Sequence, residues 1–386
     1  MKSNYNQLGQ YIEMVSRTNS DLKYGIEDVR GCSNTKQMMQ TRANLIGRTY
    51  EKFIVLRPQE FVFNRRTTRN GEKIGMAYNN TDREYIFTND YVAFRVKQEY
   101  LDKLLPDYLY MFFCRDEFDR YARYKSTGSA TEFFNWEDMC AVPFEIPPMD
   151  FQQLVVNVYK VLNERIETKQ KINDNLATQA LTLFSDFVSH RSKKLEQRKL
   201  GDVIASANTG GDAIQKVPIV DYDTGIKCAR VGDITNAREY ASWAFCNASK
   251  SVYDNYKLQA GDILVTRTAT LGITQYIAKD ISAVYNNGLI RLKVDDTNAL
   301  SLYIYWAMKT SDFLNYINQM NSATSVRPNM KIDYLLNYQL SIPSIEEQTQ
   351  FTNAVEPLMK AISLNNDEIL KLSEFQAIIL TTLSSR

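Results

Sequence analysis

Two stretches of the sequence place arginine and threonine at the end of an apolar run, a combination suited to contacts with nucleic acid. They are "NRRTTRNGEK" at residues 64–73 and "VTRTATLG" at residues 265–272. Arginine can donate two parallel hydrogen bonds to guanine, and threonine can bond to phosphates or base edges. The candidate DNA-contacting residues here are Arg65, Arg66, Arg69, Arg267, Thr268 and Thr270. The alternative for Arg65 and Arg267 is a structural role, as a solvated strand end or in an ion pair within the domain.

A second pair of candidate segments precedes two copies of an Ile-Pro dipeptide. They are "RYARYKSTGSATEFFNW" at 120–136 and "NQMNSATSVRPNMK" at 318–331. Small hydroxyl residues and glycine let the backbone approach a ligand closely, while lysine and arginine supply charge. Further candidates are Arg123, Lys125, Ser129, Thr131, Ser322, Thr324, Arg327 and Lys331. We interpret the aromatic residues Phe133, Phe134 and Trp136 as core anchors rather than base-stacking groups, because duplex DNA hides its base faces.

The residues that catalysis requires are scarce. The only histidine is His190, which excludes a zinc site built on several histidines and leaves no second histidine as a general base. Five cysteines are scattered singly without a CxxC pair, as is typical of reduced, packed thiols. The sequence contains no GxxxxGK[ST] phosphate loop and neither the FxGxG nor the NPPY motif of an adenine methyltransferase. Composition leaves a magnesium-dependent nuclease centre open, but no convincing carboxylate set stands out, so we predict no catalytic residues and no metal site.

Composition describes a globular chain with room for two domains. The 386 residues are 44% hydrophobic and 12% aromatic, which is enough for packed cores. The net charge is only +1, so any binding to nucleic acid depends on local clusters of basic residues. No run of 18 apolar residues is present, and the first residues, "MKSNYNQLGQ", lack an apolar signal region. These features predict a cytoplasmic protein without a transmembrane helix.

The two halves of the chain follow one plan. "FIVLRPQEFVFNR" at 53–65 resembles "NYKLQAGDILVTR" at 255–267, and "YIFTNDYVAFRV" at 85–96 resembles "AVYNNGLIRLKV" at 283–294. The phrase "EIPPMDFQQ" at 145–153 returns as "SIPSIEEQT" at 341–349, and a long helical pattern follows each copy. Each half thus runs from short strands through a helix and a loop to a long helix. The predicted fold is α+β, with two mixed α/β domains that are each followed by a long helix.

Both long helices carry the same apolar seam. Spacings of four and three alternate from Val155 to Phe187, and the same positions recur 196 residues later. Such spacing predicts a coiled coil, and both copies interrupt it with a polar residue at the same place, Lys169 and Asn365. We predict an antiparallel pair within the chain; the alternative is a homodimeric coiled coil. Pro357 is predicted to bend the second helix or to confine its regular part. The candidate residues for pairing and partner docking are Val155, Leu162, Ile166, Leu176, Leu183, Leu358, Ile362, Ile369, Leu372 and Ile379.

This arrangement resembles the specificity subunit of type I restriction–modification systems. The residues that carry the likeness are the duplicated "IPPMDFQQ" and "IPSIEEQ", the "LGDVI" at 200–204 and the "GDILVTR" at 261–267. The first copy has Phe151 where an acidic residue is typical. The likeness extends over essentially the whole chain.

The resemblance implies a non-catalytic reader of double-stranded DNA. Residues 1–149 and 200–345 would be target recognition domains, each reading one half of a bipartite, interrupted sequence. Residues 150–190 and 346–386 would be spacer helices that pair and dock methyltransferase subunits, with a linker at 191–199. The partners would be two methyltransferase subunits and two restriction–translocase subunits. S-adenosylmethionine would come with the methyltransferase partner, and ATP and Mg with the restriction partner, with no cofactor bound by this chain.

Two other functions remain open on the sequence alone. One is a coiled-coil interaction scaffold without DNA binding. The other is the specificity region of a fused restriction–methylation enzyme, which the absence of catalytic motifs disfavours.

Overall fold

The structure is a computed structural model that describes residues 6–41, 45, 47–66, 73–127, 132–190, 196–212, 215–323 and 329–383. The chain forms two compact units. Unit 1 comprises Met1–Ile166 with Lys371–Arg386, and unit 2 comprises Glu167–Leu370. The units do not coincide with the predicted domains, because each includes parts of both long helices.

Unit 1 is built on a four-stranded antiparallel sheet in the order β1-β8-β5-β6, beside two small two-stranded sheets, β2-β3 and β4-β7. Three short helices, α1 to α3, follow the strands and precede the long helix α4. The strands are β1 (Ile12–Val15), β2 (Arg30–Cys32), β3 (Met38–Gln40), β4 (Ile54–Leu56), β5 (Phe61–Asn64), β6 (Met76–Tyr78), β7 (Tyr85–Phe87) and β8 (Tyr91–Val96). The helices are α1 (Pro106–Phe113), α2 (Asp116–Lys125), α3 (Trp136–Cys140) and α4 (Met149–Ser189).

Unit 2 repeats this plan with a four-stranded antiparallel sheet in the order β10-β17-β14-β15. A second, mixed sheet has the order β11-β13-β12-β16, and β9 pairs with β18. The strands are β9 (Glu196–Lys199), β10 (Ile204–Thr209), β11 (Ile219–Val220), β12 (Lys227–Ala229), β13 (Ala244–Cys246), β14 (Ile263–Thr266), β15 (Thr274–Tyr276), β16 (Ala283–Tyr285), β17 (Leu289–Val294) and β18 (Gln339–Ile342). The helices are α5 (Val231–Thr235), α6 (Lys250–Tyr256), α7 (Ser301–Ala307), α8 (Ser311–Ala323), α9 (Ile332–Leu336) and α10 (Ile345–Thr382).

Each four-stranded sheet is covered on both faces, which explains the uninterrupted apolar runs at its centre. In β5, Phe61 and Phe63 belong to the cluster formed with the helices, whereas Val62 packs with the small sheets on the other face. In β14, Ile263 packs in the helix-side cluster and Leu264 in the opposite one. A strand buried on both sides needs apolar residues at every position rather than at alternate ones.

The registers of the two sheets confirm the repeat. Ile12 pairs with Val96 in unit 1, and their counterparts Ile204 and Val294 pair in unit 2. The order of strands in both sheets is the same when sequence neighbours are matched. The α+β prediction with two related halves is therefore confirmed.

The two long helices run antiparallel where they contact each other inside each unit. In unit 1, Gln376 donates a hydrogen bond to Asn163, and in unit 2, Phe184 packs on Phe351. The second helix continues through Pro357 without interruption. The pairing of the two long helices, predicted from their common seam, is present.

The polar interruptions of the seam meet each other in unit 2. Lys169 donates a 2.9 Å hydrogen bond to Asn365 and makes a 2.7 Å ion pair with Glu368. Asn365 in turn donates to Asn173, which donates to Asn366. Because Lys169 bonds to the residue 196 positions later, the register of the helix pair matches the sequence repeat. A buried polar contact of this kind favours one register over its slipped alternatives.

Two details of the predicted helices differ in the structure. Leu183 is 42% exposed, whereas its neighbour Phe184 is 4% exposed and fills the seam position. Alternating steps of four and three residues average 3.5 residues per turn, slightly less than the 3.6 of a straight helix. The difference is made up after Ala180, where the next buried residue comes four positions later instead of the predicted three. The predicted linker at 191–199 also differs, because Glu196–Lys199 forms a strand that pairs with Gln339–Ile342.

Phe151 occupies a place that its counterpart uses for capping. In the second copy, the Glu347 carboxylate accepts hydrogen bonds from the backbone and side chain of Ser344 at the start of α10. In the first copy, the ring of Phe151 instead packs 6.4 Å from that of Tyr108 on α1. The first long helix thus exchanges a cap for apolar contact with its domain.

Candidate nucleic-acid interface

In unit 2, three loops join at the end of strand β14. The backbone N–H of Arg267 donates to Gly288 O at 2.9 Å, and Met330 N–H donates to Arg267 O at 2.8 Å. Thr268 also forms a β-bridge with Asn329. The strand end, the β16–β17 turn and the loop before α9 are therefore one hydrogen-bonded cluster, called the unit 2 loop cluster below. It brings together the two segments that the sequence singled out separately.

The Arg267 side chain clasps this cluster. Its Nε donates to Met330 O at 3.2 Å, and its Nη1 donates to Asn287 O at 3.2 Å. These bonds give the guanidinium a structural role within the domain, which was the alternative to DNA contact. Thr270 lies beyond it on an exposed part of the loop, next to Ala269, whose backbone φ is +63°. A residue other than glycine in this left-handed region indicates a tightly constrained turn.

Glycine is required where the cluster is tightest. A Cβ on Gly288 would lie 2.5 Å from Cγ2 of Val231 and 2.9 Å from Oγ1 of Thr268. Such distances are shorter than normal van der Waals contact, so any larger residue would force its neighbours apart. The β16–β17 turn can thus approach Thr268 only because residue 288 has no side chain.

Unit 1 has the equivalent loop cluster at the end of β5. Phe134 N–H donates to Arg65 O at 2.9 Å, and Arg66 forms a β-bridge with Phe133. The Arg65 guanidinium lies 5.9 Å from the centre of the Phe133 ring, within cation–π range. Arg66 reaches the third loop through a 3.4 Å ion pair with Asp90 in the β7–β8 turn. The same three segments thus meet in both units, called the unit 1 and unit 2 loop clusters.

Of the neighbouring aromatic residues expected to be core anchors, Phe134 has that role and Phe133 only partly does. Phe134 is fully buried and packs against Phe63 and Phe118, as a core anchor does. Phe133 instead is partly exposed beneath Arg65. The placement of Phe133 therefore supports the loop cluster as well as the core.

The remaining candidates lie on helices or outside the described residues. Arg123 makes a 3.0 Å ion pair with Glu132, and Lys125 lies beside the rings of Tyr121 and Tyr124. Lys331 is exposed at the start of α9, next to Met330 of the unit 2 loop cluster. Ser322 lies in α8, but its side chain is outside the described part. The candidates that fall outside the described residues altogether are Arg69, Ser129, Thr131, Thr324 and Arg327.

Two arginines that the sequence analysis missed lie beside the unit 2 loop cluster. Asp233 is 1% exposed and accepts bonds from Arg230 Nε at 3.2 Å and Arg238 Nη1 at 3.3 Å. Its carboxylate also accepts the Arg230 N–H. Arg230 follows β12, which runs parallel to β16, and Val231 contacts Gly288 as described above. The signal in the sequence is a strand-like "IKCAR" followed by an Asp at helix-capping distance.

The long helices expose apolar side chains on the side away from their seam. On α4, Leu154 is 62% and Val161 is 61% exposed. On α10, Phe375 is 62% and Ile378 is 57% exposed. All four belong to unit 1, where Val155, Ile379 and Leu380 instead pack toward the core. Large apolar groups at helical spacing outside the seam indicate a surface suited to a further helix.

The described residues contain no group of three or more potential metal ligands from His, Cys, Asp and Glu. Across the same residues, no helix is both long and apolar enough to span a membrane. The five cysteines are free thiols, and burial raises the pKa of Cys32 and Cys228 to about 12. A thiol with so high a pKa is a poor nucleophile at neutral pH.

Comparison with known proteins shows what this chain is similar to. Residues 192–374 match the model of the type I restriction modification DNA specificity domain. Over 313 residues, the chain is 22% identical to the type I restriction enzyme MjaIX specificity subunit of Methanocaldococcus jannaschii, covering 73% of this chain and 69% of that one. The chain resembles the type I restriction–modification specificity subunits.

A solved specificity subunit has the same fold. The crystal structure of the type I restriction–modification S subunit from M. genitalium is similar with a TM-score of 0.52 and 13% sequence identity. The match covers 98% of this chain and 96% of that chain. The predicted fold is therefore confirmed.

Proposed function

We propose that this chain is a specificity subunit that selects a bipartite, interrupted DNA sequence, with one half read by the domain of each unit. The observation that carries the proposal is the duplication of the loop cluster. In both units, an arginine at the end of an equivalent strand bonds to the loop before the Ile-Pro phrase. Two equivalent surfaces in one chain suit a target with two half-sites, and unlike side chains on them suit half-sites of unlike sequence.

Within each loop cluster, the residues fall into two roles. Arg267 shapes the unit 2 cluster through its bonds to backbone carbonyls, whereas Thr268, Thr270 and Lys331 supply groups for phosphates or base edges. Arg230, held by Asp233, adds positive charge beside them. In unit 1, Arg65, Arg66, Arg123 and Lys125 take the corresponding roles, and the candidates outside the described residues extend these lists.

The paired helices would dock two methyltransferase subunits, which bind S-adenosylmethionine and methylate adenine. Two restriction–translocase subunits would complete the complex and use ATP and Mg. The exposed Leu154, Val161, Phe375 and Ile378 support this docking, because a helix of a partner could bury them. The seam residues would hold the two helices together under this surface.

A methylome tests the reading of two half-sites. Cells carrying the complex are expected to show one bipartite methylated motif that disappears when this chain is deleted. Replacing Thr268 and Thr270 with Val should change recognition of one half only, and replacing Arg65 and Arg66 with Ala should change the other half. Arg83→Ala is the matched control, because Arg83 is an exposed arginine of unit 1 that pairs with Asp28. A methylated motif that is not bipartite, or loss of both halves from either variant, contradicts the proposal.

A pull-down tests the docking surface separately from the helix pair. Phe375→Ser with Ile378→Ser should release the methyltransferase subunit while helix content, measured by circular dichroism, is unchanged. Leu372→Asp with Ile379→Asp should disrupt the pair itself, because unpaired charge is costly to bury. Glu374→Ala, at an exposed position between them, is the control. Full retention of the methyltransferase by the Phe375 and Ile378 variant would remove the exposed face from the proposal.

A further inference from the structure

Each copy of the Ile-Pro phrase contains, at an equivalent position, a glutamine that is completely buried. Gln152 and Gln348 are both 0% exposed, although each lies in the first turn of a long helix. Their neighbours Gln153 and Gln350 are exposed, as is usual for glutamine. A buried amide is unfavourable unless its polar atoms are hydrogen-bonded, so the contacts of these two side chains show what holds them.

Gln152 joins three segments of unit 1. Its Oε1 accepts the N–H of Leu105 at 2.9 Å. Its Nε2 donates to Lys103 O at 2.7 Å and to Pro147 O at 2.8 Å. Leu105 is the residue immediately before helix α1, and Pro147 is the proline of the first Ile-Pro dipeptide. The side chain therefore ties the start of α4 to the start of α1 and to its own entry loop.

Gln348 makes two of these three connections in unit 2. Its Oε1 accepts the N–H of Leu300 at 2.7 Å, and its Nε2 donates to Pro343 O at 2.9 Å. Leu300 is the residue immediately before helix α7, the counterpart of α1. Since both copies share a backbone N–H that donates to the amide oxygen and a proline carbonyl that accepts from the amide nitrogen, the orientation of each amide is fixed by its partners.

The bonds act where a long helix leaves its domain. Each glutamine accepts a hydrogen bond from the N–H of the residue just before a short helix. That N–H has no hydrogen-bond partner within the helix itself. The same amide holds the carbonyl of the proline five residues before it. The first turn of each long helix is thus bonded to the body of its own domain at a buried point rather than hinged on the loop alone.

We infer that Gln152 and Gln348 are positioning residues that fix the direction in which each spacer helix leaves its recognition domain, and through it the spacing accepted between half-sites. The inference rests on the proposed reading of two half-sites. It assigns to the glutamine of the repeated phrase a role in selecting spacer length and not in contacting bases. We call the hydrogen bonds of Gln152 and Gln348 the glutamine clasp. Loss of this clasp frees the domain to tilt about the Ile-Pro loop, so targets with altered spacing become acceptable.

The experiment uses the complete complex of this specificity subunit with its methyltransferase subunits. Its target is first read from the methylome. Duplexes with the native spacer, and with spacers one base pair shorter or longer, are then methylated side by side. The variants are Gln152→Met and Gln348→Met, with Gln153→Met and Gln350→Met as matched controls at exposed positions.

We expect the preference for the native spacer over the altered ones to fall about fivefold in each clasp variant, the factor that corresponds to one net hydrogen bond. The sequences of the half-sites should be unchanged, and the control variants should keep the native preference. A merely structural role would lower methylation of all duplexes in parallel and leave the ratio unchanged. An unchanged ratio in an assembled clasp variant overturns the inference without affecting the proposed function.

Failure of the wild-type complex to methylate any bipartite site would instead refute the proposed function. If the methionine variants do not assemble, Gln152→Glu and Gln348→Glu decide the matter, because glutamate keeps the acceptor for Leu105 or Leu300 but places a second oxygen, instead of a donor, against the proline carbonyl. An altered spacer ratio in these variants supports the inference. A native ratio, or failure of these variants to assemble as well, shows that the glutamines serve folding alone and overturns it.

Discussion

A buried ion pair holds the base of the basic segment in unit 1. The ammonium of Lys36 contacts the carboxylate of Asp119, and the two side chains are 4% and 6% exposed. Lys36 also donates to Ile74 O at 3.0 Å, while Asp119 accepts the Ile74 N–H at 3.0 Å. Ile74 follows the segment that begins at Arg65, so the pair anchors one end of that segment to helix α2.

Removal of one partner is expected to destabilise unit 1 strongly. Burial lowers the pKa of Lys36, and the Asp119 carboxylate partly offsets this effect. Lys36→Met leaves a buried carboxylate with one hydrogen bond, and Asp119→Asn leaves a buried ammonium without its counter-charge. Each single change should cost about 3 kcal/mol. The double variant should cost only about 1 kcal/mol, because asparagine can accept the Ile74 N–H and donate to its carbonyl.

The double variant is therefore expected to cost about 5 kcal/mol less than the sum of the single costs, and this difference is the coupling energy of the double-mutant cycle. Urea unfolding of the full chain measures it, with Trp136 as the fluorescent reporter of unit 1 after Trp243→Phe and Trp306→Phe. Lys73 and Asp116 form the matched control, since their side chains are 50% and 72% exposed at 3.3 Å. Their coupling should stay below about 0.5 kcal/mol. Single costs that simply add for Lys36 and Asp119 would refute the reasoning.

Three further predictions concern unit 2. Burial lowers the pKa of Lys309 to about 8, whereas an unfolded lysine keeps its proton to about 10.5, so stability relative to Lys309→Met should rise by roughly 2 kcal/mol between pH 7 and pH 9.5. Urea unfolding at both pH values checks this, and parallel pH dependence of the two proteins would contradict it. Lys169→Leu combined with Asn365→Leu should stabilise the helix pair but permit more than one register; distances between spin labels on the two helices report this, and one sharp distance would argue against it. Gly288→Ala should lower stability by about 1–3 kcal/mol through its clash with Val231, with partial recovery in Val231→Ala; an unchanged midpoint of thermal unfolding would count against the tight contact.

The repeated plan and the helix seam were readable from the sequence because both depend on local periodicity. Apolar residues at steps of four and three specify a helix that needs a partner, whichever chain supplies it. The seam from Phe351 to Leu383 is partly or fully buried at every predicted position. Near the end of α4, the prediction of Leu183 instead of Phe184 shows the limit of counting in fixed steps.

The candidate interface was only partly accessible from sequence. "NRRTTRNGEK" and the loop before the first Ile-Pro were each recognisable by composition, but nothing local showed that Arg65 and Phe134 are bonded neighbours. Arg230 escaped notice because it is unremarkable until β12 places it beside the β16–β17 turn, and Arg238 because its bond to the buried Asp233 is not visible in the sequence. Contacts between residues far apart in the chain depend on strand order, which periodicity does not specify.

By itself, the sequence determined the duplicated order of elements and the resemblance to type I specificity subunits, since both are encoded in short-range patterns and their repetition. Tertiary structure alone decided how the charged and polar side chains are used. It turned Arg267 from a candidate base reader into a clasp on two carbonyls, and it joined Lys169 to Asn365. It also buried Gln152 and Gln348 at the roots of the long helices. The physical reason is that a polar side chain takes its role from the partners that desolvation forces it to find, and only the packed fold supplies those partners.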